Sequence, residues 1–532
     1  MAELKNQKQP SSWKDVVNLK RAARLAAVEP YLELELPPTD PITDISDVDE
    51  LAKLMSDRKV TAEDVVLAYI KRASAAHKAT NCLTEIVFEA AIQRARSLDK
   101  YYELNGKTMG PLHGIPITFK DQFNVKGVDT TIGYVGMAGK PATDDAAVLK
   151  ILQGLGAVVI AKTNLPQSIM WCETENPLWG LTTNPLNPAF TPGGSTGGEG
   201  ALLSLRGSIV GWGTDIGGSI RIPSSINGLY GLKPSSARMP YQGVPVSTEG
   251  QEHIPSAIGP MTRSLSSMTT ITKAVINGQP WLLDPKVVPM PWRDSICEEV
   301  QSRPLVIGIL LDDGVVKVHP PIERALKELA AKLEEAGHEL VIWEPSLHKE
   351  CIDIMDRFYT ADGGEDIRRA VEAAGEPFIP HVEGLINRGK PISVYEYWQL
   401  NKEKITAQKA YLDKWNSVKG PISGRVVDIL LTPTMPHSAV PHRTCRWVGY
   451  TKIWNVLDYT ALAFPVSTVS AEKDPIPSTL YEPRSELDAW NWNLYDPVTM
   501  DGHSVGLQIV GRRFEEEKVL GAAKVIEKVM GR

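Results

Sequence analysis

Two glycine-rich stretches of the chain each contain a serine whose neighbours could support catalysis. The first is TPGGSTGGEG at 191–200, with Ser195, and the second is WGTDIGGSIRIP at 212–223, with Ser219. Serine is a weak nucleophile unless a base removes its proton, and some enzymes use a lysine for this task instead of a histidine. Lys120, which lies at the end of the β-like run HGIPITFKD, is a candidate base. Because consecutive N–H groups in a glycine-rich turn can also stabilise an oxyanion, these residues indicate a serine nucleophile with its supporting groups.

The residues around the two serines are compatible with more than one type of site. Asp215 and Arg221 flank the turn that contains Ser219, and a pair between them would hold its shape. The sequence GGSTG at 193–197 matches G-x-S-x-G, the nucleophile elbow of α/β-hydrolases, although a loop rather than a strand is predicted before it. A histidine-dependent hydrolase that uses Ser195 is therefore one alternative. Each glycine-rich stretch taken alone is also compatible with an ordinary tight turn.

Taken together, the segments resemble the amidase signature family. The matching segments are GIPITFKDQF, GGSTGGEGA and GTDIGGSIRIP, and the match continues through GLYGLKPS and GPMTRS. In that family a lysine, a serine that follows a cis peptide bond and a nucleophilic serine form a catalytic triad. The resemblance therefore implies that Lys120, Ser195 and Ser219 are catalytic and that the Gly194–Ser195 peptide bond is cis. Thr196 departs from the family's common GGSSGG pattern, but the triad serine is the one before it.

The same resemblance implies a reaction. Neutral Lys120 would accept a proton from Ser195, which would accept one from Ser219 as Ser219 attacks an amide carbonyl. An acyl-enzyme on Ser219 would then be hydrolysed by water, with no metal or organic cofactor. The oxyanion would be held by the backbone N–H groups of the second turn, which belong to Ile216, Gly217, Gly218 and Ser219.

The substrate is indicated less directly. The stretches CETENPLWGLTTNP, KVVPMPWR and YTADGGEDIRR are similar to fungal acetamidase-type general amidases, which implies small aliphatic or aromatic primary amides. Alignment with lipid amidases of the family places Met170 at an acyl-pocket position, with Trp171 after it. Weaker pocket candidates are Tyr359, Trp454 and Asp458.

Two alternatives within the family remain. One is a lipid amidase of the fatty-acid-amide type, although the N-terminal membrane helix of those enzymes is missing from the sequence. The other is a subunit of a tRNA-dependent amidotransferase, which would need partner chains and glutamine.

The composition narrows the class of protein. A net charge of -7 argues against nonspecific binding of nucleic acid, which needs a basic surface. The five cysteines are scattered without a CxxC pair, and the ten histidines show no HExxH spacing, so free thiols in a reducing compartment and no metal site are expected. The first residues, MAELKNQKQPSS, lack an apolar signal core, and nowhere do 18 apolar residues run together. We therefore expect a cytoplasmic protein without a membrane anchor, with a small-molecule amide as its partner; a homodimer is compatible with the sequence.

Strands and helices alternate along most of the chain, which predicts an α/β fold. The prediction is one large mixed, mostly parallel β-sheet covered by helices on both faces. Residues 1–85 are expected to form an N-terminal helical segment packed on the body, and residues 86–532 a single catalytic domain. In the first segment, Trp13 to Val28 form an amphipathic stretch that is expected to pack on the body, and Thr61 with Asp64 form a capping-box pattern.

Overall fold

The computed structural model of the protein describes residues 12–32, 39–478 and 481–532. The stretch in which no signal core is expected lies largely outside these ranges. The helices are α1 (Trp13–Leu32), α2 (Val48–Ser56), α3 (Ala62–Thr80), α4 (Phe88–Asn105), α5 (Ala147–Gly154), α6 (Gly197–Ser204), α7 (Arg221–Ile226), α8 (Leu265–Asn277), α9 (Asp294–Gln301), α10 (Pro320–Glu335), α11 (His348–Tyr359), α12 (Glu365–Glu372), α13 (Pro380–Ile386), α14 (Val394–Ser417), α15 (Gly449–Val456), α16 (Glu486–Asn493) and α17 (Glu516–Met530). The strands are β1 (Leu83–Ile86), β2 (Pro116–Lys120), β3 (Val158–Thr163), β4 (Glu175–Asn176), β5 (Gly180–Leu181), β6 (Val210–Asp215), β7 (Tyr230–Lys233), β8 (Ala257–Thr262), β9 (Val306–Ile309), β10 (Glu339–Ile342), β11 (Ile429–Pro433), β12 (Ala461–Thr468) and β13 (Ser504–Val510).

Eleven of these strands form one mixed sheet, in the order β1-β3-β2-β6-β8-β7-β12-β13-β11-β9-β10. Strands β3, β2 and β6 pair in parallel, as do β11, β9 and β10. Between these two blocks every neighbouring pair is antiparallel. The large mixed α/β sheet is therefore confirmed. Its parallel pairs lie in the two blocks where strands and helices alternate in the sequence, whereas that alternation does not predict the antiparallel centre.

Both faces of the sheet are covered, as the side chains of β13 show. Leu507 and Ile509 belong to the buried apolar cluster that also contains residues of α10 and α17. Gln508, between them, is fully buried and accepts a hydrogen bond from Arg221 of α7. Because successive side chains of a strand point to opposite faces, Gln508 faces the side of α7 while Leu507 and Ile509 are buried on the other side, so both faces are covered.

The N-terminal helices pack closely on the rest of the chain. Helix α1, predicted from its amphipathic stretch, is confirmed, and Arg21 Nε donates to Leu178 O at 2.8 Å. The capping box at the start of α3 is also confirmed, since the side chains of Thr61 and Asp64 each bind the backbone N–H of the other. Strand β1 crosses the predicted boundary at 85 and pairs with β3, while the division into two segments stays a prediction. Among the described residues, no helix is both long and apolar enough to cross a membrane.

The strand ends bring the predicted reactive segments together. Strand β2 ends at Lys120, and the neighbouring parallel strand β6 ends at Asp215, directly before the turn that carries Ser219. Ser195 lies just before α6, and Ser219 just before α7. In open α/β sheets, ligands bind where the carboxyl ends of parallel strands meet. We therefore expect the candidate site at this edge of the sheet.

Candidate active site

Lys120 is fully buried, and its amine hydrogen-bonds to two hydroxyl groups. Its Nζ donates to Ser195 Oγ at 2.6 Å and to Thr214 Oγ1 at 2.8 Å. The Thr214 hydroxyl in turn donates to Gln122 Oε1 at 2.7 Å, so its oxygen faces Lys120 as an acceptor. The structure thus places the predicted lysine and the first predicted serine in direct contact.

The environment of Lys120 favours the neutral amine. Burial lowers the pKa of Lys120 to about 7, although the negative charge of Asp215 opposes this shift. Asp121, the next residue in the chain, faces away: its carboxylate accepts hydrogen bonds from Thr131 and lies 3.8 Å from Lys162 Nζ. The alternation of the strand predicts this. The carboxylate that acts on Lys120 is that of Asp215, and desolvation outweighs its effect.

Ser195 and Ser219 lie on neighbouring segments. The Gly194–Ser195 peptide bond is cis, as the resemblance implies, and a Cβ at Gly194 would collide with the backbone carbonyl of Glu173. The N–H of Thr196 donates to Ser219 O at 3.1 Å, which ties the two segments together. Within the described residues, the two serine hydroxyls do not hydrogen-bond to each other, and the partner of Ser195 Oγ is Lys120.

The pair predicted to hold the second turn is present. The Arg221 guanidinium donates to Asp215 through Nε at 3.0 Å and Nη2 at 2.9 Å, and both side chains are fully buried. Asn455 and Gln508 accept from the remaining Arg221 donors at 2.7 and 3.0 Å. Burial alone would raise the pKa of Asp215, but the Arg221 charge and hydrogen bonds lower it to about 2. The turn is therefore anchored by a buried ion pair in which each of the three guanidinium nitrogens of Arg221 donates a hydrogen bond.

The structure narrows the set of candidate oxyanion donors. The Gly218 N–H donates to Asp215 Oδ1 at 2.9 Å, so it is not free for a substrate. Including Gly218 among the donors is therefore a mistake, and Ile216, Gly217 and Ser219 remain candidates. Gly218 has a φ of +130°, and a Cβ there would collide with Thr451, so only glycine fits this position.

Two hydroxyl groups donate hydrogen bonds to backbone carbonyls of the same turn. Tyr359 OH donates to Ile216 O at 3.0 Å, and Thr451 Oγ1 donates to Gly217 O at 2.7 Å. In a trans peptide unit the N–H points away from the carbonyl, so the bond from Tyr359 also orients the Gly217 N–H, a candidate donor. The bond from Thr451 holds the next peptide unit, whose N–H, that of Gly218, donates to Asp215. Tyr359, a weaker pocket candidate from the sequence, therefore lies at the site. Sequence reasoning missed Thr451, because it lies in α15, outside the glycine-rich motifs.

Two cavities meet at Ser219. The larger, of about 770 Å³, is lined by Ser195 and Thr214, and the smaller, of about 80 Å³, by Trp171 and Tyr359. Both cavities are lined by Ile169, Met170, Ile216 and Ser219. Met170 therefore lies at the junction of the cavities and Trp171 in the smaller one, which places both residues at the site.

The other two pocket candidates lie elsewhere. Trp454 is a fully buried core residue whose ring packs edge-on against His348 and Tyr411. Asp458 accepts from the Ser236 hydroxyl at 2.6 Å and pairs with Arg513, also at 2.6 Å. Neither residue is among the described residues that line the two cavities at Ser219, although Asp458 lines a separate cavity of about 610 Å³.

The surroundings of Ser195 do not match a nucleophile elbow. Helix α6 begins two residues after Ser195, but a loop rather than a strand precedes it. In the part of the chain that the structure describes, no histidine hydrogen-bonds to Ser195 and no group of three or more His, Cys, Asp or Glu side chains could hold a metal. All five cysteines are free and buried. Fold and site together define an α/β protein in which a buried lysine contacts a serine at the edge of the sheet.

Comparison with known proteins identifies the family. The family model described as Amidase matches residues 64–520. "Amidase 1" of Gibberella moniliformis is 57% identical over 521 residues, which are 98% of this chain and 100% of that protein. "Acetamidase" of Emericella nidulans is 39% identical, over 98% of this chain and 99% of its own length. The solved structure of a fatty acid amide hydrolase superposes with a TM-score of 0.87 at 34% identity, over 99% of this chain and 92% of that one. The chain belongs to the amidase family, and it is an enzyme that hydrolyses amides.

Proposed function

We propose that the protein hydrolyses small primary amides to a carboxylate and ammonia, through a Ser219–Ser195–Lys120 triad and an acyl-enzyme on Ser219. One observation carries the proposal: a fully buried lysine of lowered pKa contacts Ser195 at 2.6 Å beside a cavity that Ser219 lines. A lysine of this kind can act as a base near neutral pH, which a solvated lysine cannot.

In the proposed reaction, the two serines and Lys120 transfer protons in sequence. The neutral Lys120 amine takes the proton of Ser195 while Ser195 takes that of Ser219, and Ser219 Oγ bonds to the amide carbon. N–H groups from Ile216, Gly217 and Ser219 are the donors for the oxyanion that forms. The proton returns through Ser195 to the leaving nitrogen as the carbon–nitrogen bond breaks, which releases ammonia. Water then attacks the acyl-enzyme by the same route and regenerates Ser219.

The preference for small amides is supported by the site and by the relatives. The cavity that Trp171 lines has a volume of only about 80 Å³, and a relative named acetamidase aligns over nearly the whole chain. A lipid amidase is the second candidate, because the fatty acid amide hydrolase structure superposes closely and the other cavity reaches about 770 Å³. We therefore expect short aliphatic and benzoic amides to be hydrolysed faster than long-chain N-acyl amides.

The experiment is a panel of amides of increasing chain length, assayed for ammonia or amine release by the purified chain alone. Activity on short primary amides supports the proposal, whereas faster hydrolysis of long-chain amides favours the lipid amidase. Activity only after partner chains and glutamine are added would indicate an amidotransferase subunit. Gel filtration of the same sample tests the predicted homodimer, and a cytoplasmic location stays a prediction from the sequence.

The nucleophile is tested with a fluorophosphonate, which modifies activated serines covalently. We expect the adduct on Ser219 and none in Ser219→Ala. Ser204→Ala is a suitable control, because the Ser204 hydroxyl donates only to Ala201 O in its own helix. An adduct mapped to Ser195 would contradict the assignment and favour the elbow interpretation.

A further inference from the structure

The smaller cavity at Ser219 has a cationic rim. Its lining includes the side chains of Arg388, Arg446 and Lys452, together with the apolar or aromatic residues Met170 and Trp171. No aspartate or glutamate is among the described residues that line it. The smaller of the two cavities at the proposed nucleophile therefore combines an apolar interior with positive charge at its edge.

Two of the three cations have no acidic partner. Lys452 pairs with Asp356. The Arg388 guanidinium lies 5.6 Å from the Trp171 ring centre and that of Arg446 lies 3.3 Å from the Trp490 ring centre. Over residues 12–32, 39–478 and 481–532, neither guanidinium forms an ion pair or hydrogen bond.

Stacking of this kind prepares an arginine to bind an anion. An aromatic ring beneath the guanidinium restricts its orientation and leaves the N–H groups at its edge unused. Those N–H groups form a planar fork that matches the two oxygens of a carboxylate. The nearby Arg443 shows the contrast, because its Nε and Nη2 already donate to Glu175.

The larger cavity carries the opposite charge. Its lining includes Glu249, Glu252 and Asp284 but only one lysine, Lys286, which pairs with Glu252 at 2.6 Å. An anionic group on the substrate is therefore favoured on the side of Arg388 and disfavoured on the other side of the nucleophile.

We propose that Arg388 and Arg446 form a carboxylate subsite, so that the preferred substrates are monoamides of short dicarboxylic acids. The inference rests on the proposed function. A primary amide releases only ammonia, so the recognised carboxylate must belong to the acyl part of the substrate. The apolar wall formed by Met170 and Trp171 then contacts the methylene groups between the amide and the carboxylate.

The test compares matched pairs of amides that differ by one carboxylate. Succinamate is compared with butyramide and glutaramate with valeramide, at low ionic strength. We expect kcat/KM to be about tenfold higher for the anionic member of at least one pair, and the preference to shrink at about 1 M salt because exposed charges are screened. Two chain lengths are used because the carboxylate reaches the arginines only if the methylene chain has the right length, so only one pair need show the higher kcat/KM.

Variants test whether Arg388 and Arg446 cause the preference for the anionic amide. Arg388→Gln with Arg446→Gln should reduce the ratio of anionic to neutral kcat/KM by about tenfold, since glutamine keeps a polar group but removes the charge. Arg443→Gln is the matched control: it removes an arginine that is close in sequence but already paired, and should leave the ratio unchanged. Equal hydrolysis of both members of each pair, or a preference that survives the double variant, would overturn the inference while leaving the proposed function intact.

A binding measurement separates this inference from a failure of the proposed function. Calorimetry of succinate and butyrate with the full chain does not depend on turnover. Tighter binding of succinate that is lost in the Arg388→Gln, Arg446→Gln variant supports the subsite even if no amide on the panel is hydrolysed. Equal or undetectable binding of the two acids, together with equal hydrolysis of the amides, would refute it.

Discussion

Replacing the buried lysine tests the proposed mechanism most directly. Lys120→Met keeps a side chain of similar length but removes the amine that contacts Ser195 and Thr214. We expect the variant to lose most amide hydrolysis, because no base remains to accept the proton of the serine pair. The change removes a buried ionisable group and fills its place with an apolar chain, so we do not expect the variant to unfold.

The pKa of Lys120 sets the size of the effect. An ordinary lysine, with a pKa of about 10.4, is neutral in roughly 0.04% of molecules at pH 7. The pKa of about 7 for Lys120 makes about half of the molecules neutral at that pH. The buried environment therefore increases the fraction of active base roughly a thousandfold at neutral pH.

The sign of the pH dependence follows from the same value. Below a pH of about 7 the lysine is protonated, so log kcat/KM should rise with pH and then level off above about pH 8. Whatever activity Lys120→Met retains should not show this inflection, whereas Lys126→Met, which alters an exposed lysine, should keep it. An inflection near 10 in the unmodified protein, or one near 7 that persists in Lys120→Met, would refute the assignment of the base.

Three further substitutions test the surroundings of the site. Burial raises the pKa of Glu199 to about 8, so its proton is bound more tightly in the folded state and stability falls as pH rises from about 4 to 8. Glu199→Gln should therefore gain stability over the unmodified protein across that range, by up to about 5 kcal/mol in urea titrations, and a gain independent of pH would contradict this. Asp215→Asn should cost about 3–5 kcal/mol, because it leaves Arg221 buried without a counter-charge; an unchanged urea midpoint would show that the pair is dispensable. Thr451→Val removes the hydrogen bond to Gly217 O, which helps to position the turn that carries Ser219, and should lower kcat about 2- to 10-fold with little change in KM. A loss of thermal stability with an unchanged kcat would indicate a purely structural role.

Much of the local structure could be predicted from the sequence, because it depends on neighbouring residues. The capping box of Thr61 and Asp64 and the strand that ends at Lys120 are decided by residue types a few positions apart. The pair of Asp215 and Arg221 spans only six positions of one turn. Such features are visible in the sequence because the interacting groups are separated by a fixed, short length of backbone.

The antiparallel centre of the sheet could not be predicted in the same way. Strands β7 and β8 lie between β6 and β12, and their directions depend on which strand each one joins. Hydrophobic periodicity shows that a segment is a strand with a buried face, but it is the same for parallel and antiparallel neighbours when both faces are covered. The helices between strands predict only which strands pair in parallel.

Not all the groups that hold the second turn can be predicted from the sequence motifs. The turn itself and its anchor Asp215 lie within one motif, yet the partners of the turn come from far along the chain: Tyr359 is 143 positions from Ile216, and Thr451 is 234 positions from Gly217. A hydroxyl donates to a backbone carbonyl wherever the fold brings the two groups within hydrogen-bond distance. No local sequence motif is required around the hydroxyl residue. The reactive groups and these two hydroxyl groups therefore come from different halves of the chain. A substitution at Thr451 in α15 can thus impair catalysis without touching a motif. It should do so through kcat, because Thr451 positions the turn that carries Ser219 and is not among the described residues that line either cavity there.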